Sequence, residues 1–189
     1  MNLDNPRDIS KLDRDNMLEL LSFFSKQCMD GLFIGEHTSI DKAYMKKYEN
    51  IIFTGLGGSA IGADTIKDLL AEEIKIPIFV NRNYSMPAFA GEKTLVFAVS
   101  YSGNTEETLS AYTDAIKKHT NIIVITSGGK LQELASKNKN MVITIPKGYP
   151  PRCALGYSFI PALMILCKMG LIKTKKNEIK EAAALMSAM

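Results

Sequence analysis

The feature that most constrains the fold of this chain is a series of short apolar runs that alternate with segments of helical spacing. The runs are "NIIFTG", "IPIFV", "TLVFAVS", "NIIVIT" and "MVITIP". Each run is rich in Ile, Val and Phe and nearly continuous, rather than alternating apolar residues with polar ones. Continuous runs of this length are typical of parallel strands that helices cover on both faces. The pattern therefore predicts an α/β fold with a sheet of five parallel strands.

Three of the segments between these runs carry an apolar stripe at the spacing of an amphipathic helix. The stripes consist of Ala63, Ile66, Leu69 and Leu70; of Leu109, Tyr112 and Ile116; and of Leu131, Leu134 and Ala135. The link between the second and third runs, "NRNYSMPAFAGEK", has too little helical pattern to predict a crossover helix. Alternating strands and helices imply right-handed crossovers, so we expect a doubly wound sheet.

Helix-like segments flank the strands on both sides. Residues 16–28 and 40–47 are expected to form helices before the first strand, and residues 177–189 another helix after the last strand. This tail ends in apolar residues that have no later segment to pack on, namely Leu185, Met186 and Met189. We therefore divide the chain into an N-terminal helical segment that packs on the sheet (1–48), a central α/β domain (49–173) and a C-terminal helix (174–189).

Length and charge exclude several classes of protein. The 189 residues, 46% of them apolar, can bury one substantial core. The formal charge of +3 results from 23 basic and 20 acidic residues, and lysine pairs lie at the ends of helix-like segments, where solvated lysines are common. We therefore predict no nucleic-acid partner.

Cysteine usage and hydropathy indicate the compartment. Cys28, Cys153 and Cys167 are odd in number and widely spaced, without the spacing of a metal site. Reduced, buried thiols suit a reducing compartment, and a structural metal is not expected. The longest apolar stretch, near "FIPALMILC", is far shorter than the roughly 20 residues of a membrane span. We therefore predict a cytoplasmic protein without a membrane partner.

The first strand is followed by a glycine-rich turn, "GLGGSAIG". Its glycines let the backbone approach a ligand closely, and Ser59 offers a hydroxyl and a helix cap. The same glycines also suit mere packing. A third reading is a dinucleotide site, because Gly55, Gly57 and Ala60 fit the loose pattern GxGxxA. The next strand ends in Asn81 and Arg82 instead of an acid, which disfavours NAD but leaves NADP open through Arg82.

The third strand is followed by "SYSGNT", which contains three hydroxyl side chains and one glycine. Asn104 and Glu107 have the spacing of a capping box for the next helix. The amides of that helix's first turn, with the hydroxyls of Ser100, Ser102 and Thr105, would form an anion site suited to a phosphate, without the lysine of a nucleotide P-loop. The alternative is that these residues only cap the helix.

The four blocks "GLGGSAIGAD", "NRNYSMPAF", "SYSGNTEETL" and "PPRCALGYSF" resemble, in this order and spacing, the N-terminal half of the bifunctional phosphoglucose/phosphomannose isomerases. "SYSGNTEET" is similar to the phosphosugar-binding signature of the sugar isomerase (SIS) domain. The resemblance extends over residues 50–171. It implies a flavodoxin-like αβα sandwich that binds a hexose phosphate and needs no cofactor or metal.

The resemblance also implies roles for particular residues. Ser100, Ser102 and Thr105 are expected to hold the phosphate, and Gly58 and Ser59 to line the sugar. Arg152 is expected to stand beside the reacting carbons. Aldose–ketose isomerisation passes through an enediol whose oxygen carries negative charge, which a fixed guanidinium stabilises. The two prolines before Arg152 should keep its turn stiff.

The reaction also needs a base, and the sequence identifies none. His37 and His119 match no family motif, and Glu106 and Glu107 suit the dipole of the helix that follows the phosphate loop. The resemblance implies that the catalytic glutamate, histidine and lysine lie in a second SIS domain. Three hypotheses remain open: one half of a longer isomerase, a single-domain enzyme whose site forms between subunits of a homodimer, and a non-catalytic phosphosugar-binding module.

Overall fold

The computed structural model describes residues 4–188, which contain one parallel sheet. Its strand order is β2-β1-β3-β4-β5, the order of the flavodoxin-like fold. All four neighbouring pairs of strands are parallel. The strands are β1 (Asn50–Thr54), β2 (Ile78–Asn81), β3 (Thr94–Val99), β4 (Asn121–Thr126) and β5 (Met141–Thr144). Each of the five predicted runs forms a strand, so the predicted sheet is confirmed.

The helices are α1 (Pro6–Leu12), α2 (Met17–Ser22), α3 (Phe24–His37), α4 (Gly58–Leu69), α5 (Glu106–Lys117), α6 (Gly129–Lys137), α7 (Leu155–Lys168) and α8 (Lys176–Ser187). Two single 3-10 turns, Lys42–Tyr44 and Pro151–Cys153, complete the structure. Between residues 4 and 188, no helix combines the length and the apolar character that a membrane crossing requires.

Helices cover both faces of the sheet, as the continuous apolar runs predict. Ile51 and Phe53 of β1 point into a core shared with α3, α4, α7 and α8, and Phe53 stacks on Phe97 at 4.7 Å between ring centroids. Ile52, between them, points into a second core shared with α5 and α6. Because successive side chains of a strand face opposite sides, both faces must be apolar. The three-layer αβα sandwich is thereby confirmed.

The link between β2 and β3, whose sequence has too little helical pattern to predict a crossover helix, contains none. Hydrogen bonds hold it instead: the Asn81 side-chain amide donates to Ser85 O at 3.1 Å, and the Met86 amide donates to the Asp114 carboxylate at 2.8 Å. Met86 and Ala90 are buried against α5 and the sheet. The link therefore covers the sheet without a crossover helix.

Two glycines let α3 lie close against α7. A Cβ at Gly31 would lie 3.0 Å from Gly156 O, and one at Gly35 would lie 2.4 Å from the Met164 Cβ. Where α3 ends, the Lys168 ammonium donates to the carbonyls of Glu36 at 2.8 Å and Thr38 at 2.5 Å. These carbonyls have no partner within the helix, so the lysine satisfies that end of α3.

The prediction of one helix over residues 16–28 is wrong, because the chain forms α2 and α3 with a break at Phe23. The Asp13 carboxylate accepts the amides of Met17 at 2.7 Å and Leu18 at 2.9 Å, which fixes the start of α2. The helix expected over residues 40–47 is only the turn Lys42–Tyr44. Tyr44 is pulled inward there, since its hydroxyl donates to Ile122 O at 2.8 Å.

Two expectations about apolar residues also need correction. Leu69 is 53% exposed, because it lies about 100° around the helix from the buried Leu70. The C-terminal tail does find a packing partner: α8 packs on α3 through Ile179 and Ala183, and Met186 contacts the same core. Leu185 is exposed as expected, and Met189 lies outside the described residues.

Candidate functional site

The carboxyl ends of β1 and β3 meet at the point where the strand order reverses. β1 lies between β2 and β3, so the turns that follow β1 and β3 leave the sheet side by side. A Cβ at Gly55 would lie 2.8 Å from Val99 O, and the Tyr101 amide donates to Ser59 Oγ at 3.3 Å. Ligands of doubly wound sheets bind in the crevice at this position. The structure therefore brings the two predicted turns together.

The loop after β3 is organised around Ser100. Its hydroxyl lies 3.0 Å from Thr105 Oγ1 and accepts the amide of Gly103 at 3.1 Å. Ser100 is 1% exposed, so it supports the loop from inside. Ser102 is exposed, and its hydroxyl accepts the Asn104 amide at 3.2 Å. Of the three predicted phosphate ligands, Ser102 thus faces solvent and Thr105 is half-buried.

The predicted capping box of Asn104 and Glu107 is wrong. The N-cap of α5 is Thr105, and no side chain in the described part of the chain caps that helix. Asn104 turns away because its side-chain oxygen accepts the Lys130 amide at 3.0 Å from the neighbouring turn. The first-turn amides of α5 have no partner within the helix, so they can donate to an anion.

Ser59 does not cap a helix either. Helix α4 begins at Gly58, with Gly57 at the N-cap position, so Ser59 already belongs to the first turn. Its hydroxyl faces the loop after β3 and accepts the Tyr101 amide. Gly57 has a φ of +55°, in the left-handed region that favours glycine.

A third turn, Thr126–Gly129 after β4, completes the floor of the site, and the sequence reasoning missed it. A Cβ at Gly103, whose φ is +69°, would lie 1.8 Å from Gly128 O. The Leu131 amide donates to Gly103 O at 2.9 Å. The glycine pair in "TSGG" after a buried strand is the signal that would have found this turn.

Tyr101 connects the loop after β3 to the segment that follows β5. Its hydroxyl donates to Pro146 O at 2.9 Å and accepts the Tyr149 amide at 2.9 Å. Its own carbonyl accepts the Ser127 hydroxyl at 2.7 Å. Burial raises the pKa of Tyr101, so its phenol stays protonated and can keep donating to Pro146. Tyr101 was not among the residues that the sequence pointed to.

Arg152 lies at the edge of the site in the turn Pro151–Cys153. A Cβ at Gly58 would lie 2.8 Å from Pro151 O and 3.2 Å from the Arg152 Cα, so the two segments touch. The arginine side chain is exposed, and its Nε donates to the sulfur of Met17 at 3.3 Å. The structure thus brings all six predicted residues to neighbouring turns: Gly58, Ser59, Ser100, Ser102, Thr105 and Arg152.

The dinucleotide interpretation loses its support. Arg82, the residue that would have received a ribose phosphate, forms an ion pair with Asp64 of α4. Asn81 is buried and its amide holds the link after β2. Neither side chain is therefore directed to a ribose at the end of β2.

The titratable residues in the described part of the chain identify no base. His37 Nδ1 lies 2.8 Å from Phe33 O within α3, and its ring contacts the Phe33 ring at 3.9 Å between centroids, tilted by 32°. Glu106 and Glu107 lie in the first turn of α5, where their charges raise the pKa of Tyr84. Among residues 4–188, no group of three or more His, Cys, Asp or Glu is arranged to hold a metal ion.

Comparison with known proteins gives consistent results. Residues 44–173 match the family described as the SIS domain. The chain is 47% identical over 171 residues to a bifunctional phosphoglucose/phosphomannose isomerase of Caldicellulosiruptor bescii, covering 90% of this chain and 50% of that protein. It is 37% identical over 157 residues to the protein of the same name from Thermoplasma volcanium, covering 82% and 48%.

A solved structure shows the same fold. The tagatose-6-phosphate ketose/aldose isomerase of Escherichia coli aligns with a TM-score of 0.68 and 16% identity, covering 91% of this chain and 53% of that one. The chain spans about half the length of the curated relatives that it matches.

Proposed function

The chain belongs to the SIS domain family, and from that premise we propose that it is the N-terminal, phosphosugar-binding half of a sugar-phosphate isomerase. The reaction is the interconversion of glucose 6-phosphate or mannose 6-phosphate with fructose 6-phosphate. The observation that carries the proposal is the uncapped first turn of α5 behind a loop of hydroxyl side chains, in a chain 47% identical to a named isomerase of this kind.

The phosphate would lie between Ser102, Thr105 and the first-turn amides of α5. A dianionic phosphate accepts several hydrogen bonds, and amides at a helix N-terminus add a favourable dipole. Ser100 supports this arrangement through its contacts with Thr105 and Gly103. Gly58 and Ser59, on the neighbouring turn, would line the sugar, since the absent side chain of Gly58 lets the Pro151–Arg152 backbone lie directly against this turn.

Arg152 would act on the enediol intermediate. When a proton leaves the carbon beside the carbonyl, negative charge develops on the carbonyl oxygen, and a guanidinium held nearby lowers the energy of that state. Its 3-10 turn adjoins Gly58, which fits a position beside the sugar carbons.

The base and the ring-opening acid would come from a second SIS domain or from a second copy of this chain. In support, Leu18, Leu21 and Phe33 on helices α2 and α3 are large apolar side chains that remain exposed. We also propose the cytoplasm as the compartment, because Cys28, Cys153 and Cys167 are all free and two of them are buried.

A non-catalytic phosphosugar-binding module is the second candidate. One observation favours it: between Asp4 and Ala188, neither histidine carries a contact that links it to the predicted site, and His37 is engaged by Phe33. Both candidates require the same phosphate loop, so they differ only in turnover.

Calorimetry with fructose 6-phosphate, followed by a coupled isomerase assay on the same sample, tests both candidates. We expect Ser102→Ala and Thr105→Val each to weaken binding by on the order of 1 to 2 kcal/mol, since each removes one charge-assisted hydrogen bond. Ser136→Ala, an exposed serine on α6, is the matched control and should bind as the original chain does.

The outcomes separate the readings. Binding without turnover supports a half-enzyme or a binding module, whereas turnover means that a base is present in the assembled protein. Absence of binding, or unchanged binding by both loop variants, would contradict the proposed phosphate site.

A further inference from the structure

Every polar group of Tyr101 is used to join one turn of the site to another. Its amide donates to Ser59 Oγ at 3.3 Å, after β1, and its carbonyl accepts the Ser127 amide at 3.0 Å, after β4. Its hydroxyl reaches Pro146 O and the Tyr149 amide, after β5, both at 2.9 Å. Tyr101 is 7% exposed, so these bonds are largely buried. One residue of the phosphate loop thus fixes the segment that leads into the turn Pro151–Cys153, called here the arginine turn because it carries Arg152.

Gln27 of α3 holds the other end of the same turn. Its amide nitrogen donates to Cys153 O at 2.6 Å, and its side-chain oxygen accepts the Gly156 amide at 3.3 Å. The residue is 1% exposed. A Cβ at Gly156 would lie 2.6 Å from the Gln27 Cβ, so the glycine permits this close approach. The buried side-chain amide of Gln27, through both its nitrogen and its oxygen, therefore holds the chain on the C-terminal side of Arg152.

The Arg152 side chain itself has little to hold it. It is exposed, and its hydrogen bond to the thioether sulfur of Met17 is a weak one, because that sulfur is a poor acceptor. Its position must then be set by the backbone of its turn. That backbone is tied by Tyr101 before the turn and by Gln27 after it.

We propose that Tyr101 and Gln27 are positioning residues that hold Arg152 against the sugar, and that Tyr101 couples this position to the phosphate loop. The proposal rests on the role of Arg152 given under the proposed function. Removing the Tyr101 hydroxyl leaves Pro146 O and the Tyr149 amide without their partner, so the segment before Arg152 loosens. The Ser100 and Thr105 contacts of the phosphate loop do not involve that hydroxyl and remain.

Two ligands separate positioning of Arg152 from phosphate binding. Fructose 6-phosphate reports on the phosphate loop. The second ligand, 5-phosphoarabinonate, carries the same phosphate and a carboxylate that imitates the charge of the enediolate. A group that acts in the transition state favours the mimic over the substrate. The ratio of the two dissociation constants, measured by calorimetry, is therefore the readout for the arginine.

We expect Tyr101→Phe and Gln27→Leu each to reduce the preference for the mimic at least about 10-fold, with fructose 6-phosphate affinity within about 3-fold of the original. Tyr112→Phe is the matched control, since that buried tyrosine bonds to Asn140 at 2.6 Å on the face of α5 and α6. It should keep the preference. The double variant Tyr101→Phe with Arg152→Ala should lose no more preference than Arg152→Ala alone.

Additive losses in the double variant, or equal losses for both ligands, would overturn the positioning roles. Circular dichroism identifies any variant that no longer folds, and in that case the other single variant and its double variant with Arg152→Ala decide the proposal. If the original chain binds neither ligand, the proposed function fails. If it binds both without preferring the mimic, the role of Arg152 fails, and with it this inference.

Discussion

Gly103 is the residue of the loop after β3 at which an added methyl group should destabilise the protein most. Its φ of +69° disfavours any side chain, and an added Cβ would lie 1.8 Å from the carbonyl oxygen of Gly128. Because that oxygen belongs to the backbone, one of the two loops would have to move. We expect Gly103→Ala to lower the free energy of unfolding by about 2 to 4 kcal/mol, from strain and collision together. Fructose 6-phosphate binding should fall at least about 10-fold, because the loop must shift.

The matched control for this prediction is Gly170→Ala. Gly170 has the same φ of +69°, but no atom lies within 4 Å of its added Cβ, so only the backbone strain applies. Thermal unfolding and calorimetry on both variants separate the two effects. Equal destabilisation of the two would show that the contact with Gly128 contributes nothing.

Thr108 is a residue at which a substitution should stabilise the protein. Its hydroxyl is one of two buried side-chain oxygens without a hydrogen-bond partner among the residues that the structure describes. We expect Thr108→Val, which keeps the shape and removes the hydroxyl, to raise the free energy of unfolding by about 1 kcal/mol. Thr113→Val on the same helix should give no gain, since that hydroxyl donates to Leu109 O at 2.8 Å. Denaturant titration measures the free energy of unfolding of both variants. If Thr108→Val is less stable than the original chain, the Thr108 hydroxyl stabilises the protein in solution.

Residue identities were easier to predict at this site than residue contacts. The hydroxyl loop and Arg152 follow from short local stretches, and the structure brings them to adjoining turns. The helix caps assigned to Ser59 and Asn104 are wrong because each side chain bonds to a different strand-end turn, at Tyr101 and Lys130. Gln27 was missed for the same reason: its partners lie more than 120 residues along the chain.

At the scale of elements, the contact between α3 and α7 depends on Gly35. A Cβ there would lie 2.4 Å from the Cβ of Met164, and the two helices would have to move apart. We expect Gly35→Ala to lower the free energy of unfolding by about 1 to 3 kcal/mol, although alanine favours the helix itself. Gly91→Ala, with no atom within 4 Å and no left-handed φ, should change it by less than about 0.5 kcal/mol. A Gly35→Ala variant as stable as Gly91→Ala would contradict this packing.

The strands were predictable as elements, and the N-terminal helices only in part. A run such as "TLVFAV" is buried at every position, so its apolar composition alone was enough to predict a strand. The segment before β1 has weaker periodicity, and its breaks follow from tertiary contacts. Asp13 starts α2 by accepting two amides, and Tyr44 is drawn to β4 by a bond to Ile122.

At the scale of the whole molecule, the buried thiol of Cys28 makes stability depend on alkaline pH. Burial raises its pKa from 9.0 to about 11. Below pH 9 the thiol is neutral in both states; between pH 9 and about 11 it ionises only in the unfolded chain, which favours unfolding. The free energy of unfolding should therefore fall across this window. Burial also raises the pKa of Tyr48, to about 12, which extends the fall upward.

Denaturant titrations at several pH values test this dependence. Cys28→Ala should flatten the fall between pH 9 and 11, while Leu32→Val, a truncation of a buried neighbour on the same helix, should lower stability equally at every pH. An unchanged slope in Cys28→Ala would show that other groups dominate the alkaline loss.

The contacts of Gln27 also determine when the turn that carries Arg152 can form during protein synthesis. Gln27 and Gly156 are 129 residues apart in the chain, whereas the last contact of the loop after β3 with the turn after β4 is the bond from the Leu131 amide to Gly103 O. Domains begin to fold while the ribosome is still extending them. The nascent chain can therefore complete its hydroxyl loop only after Leu131 has been synthesised, and the turn that carries Arg152 gains its second anchor only after translation passes Gly156.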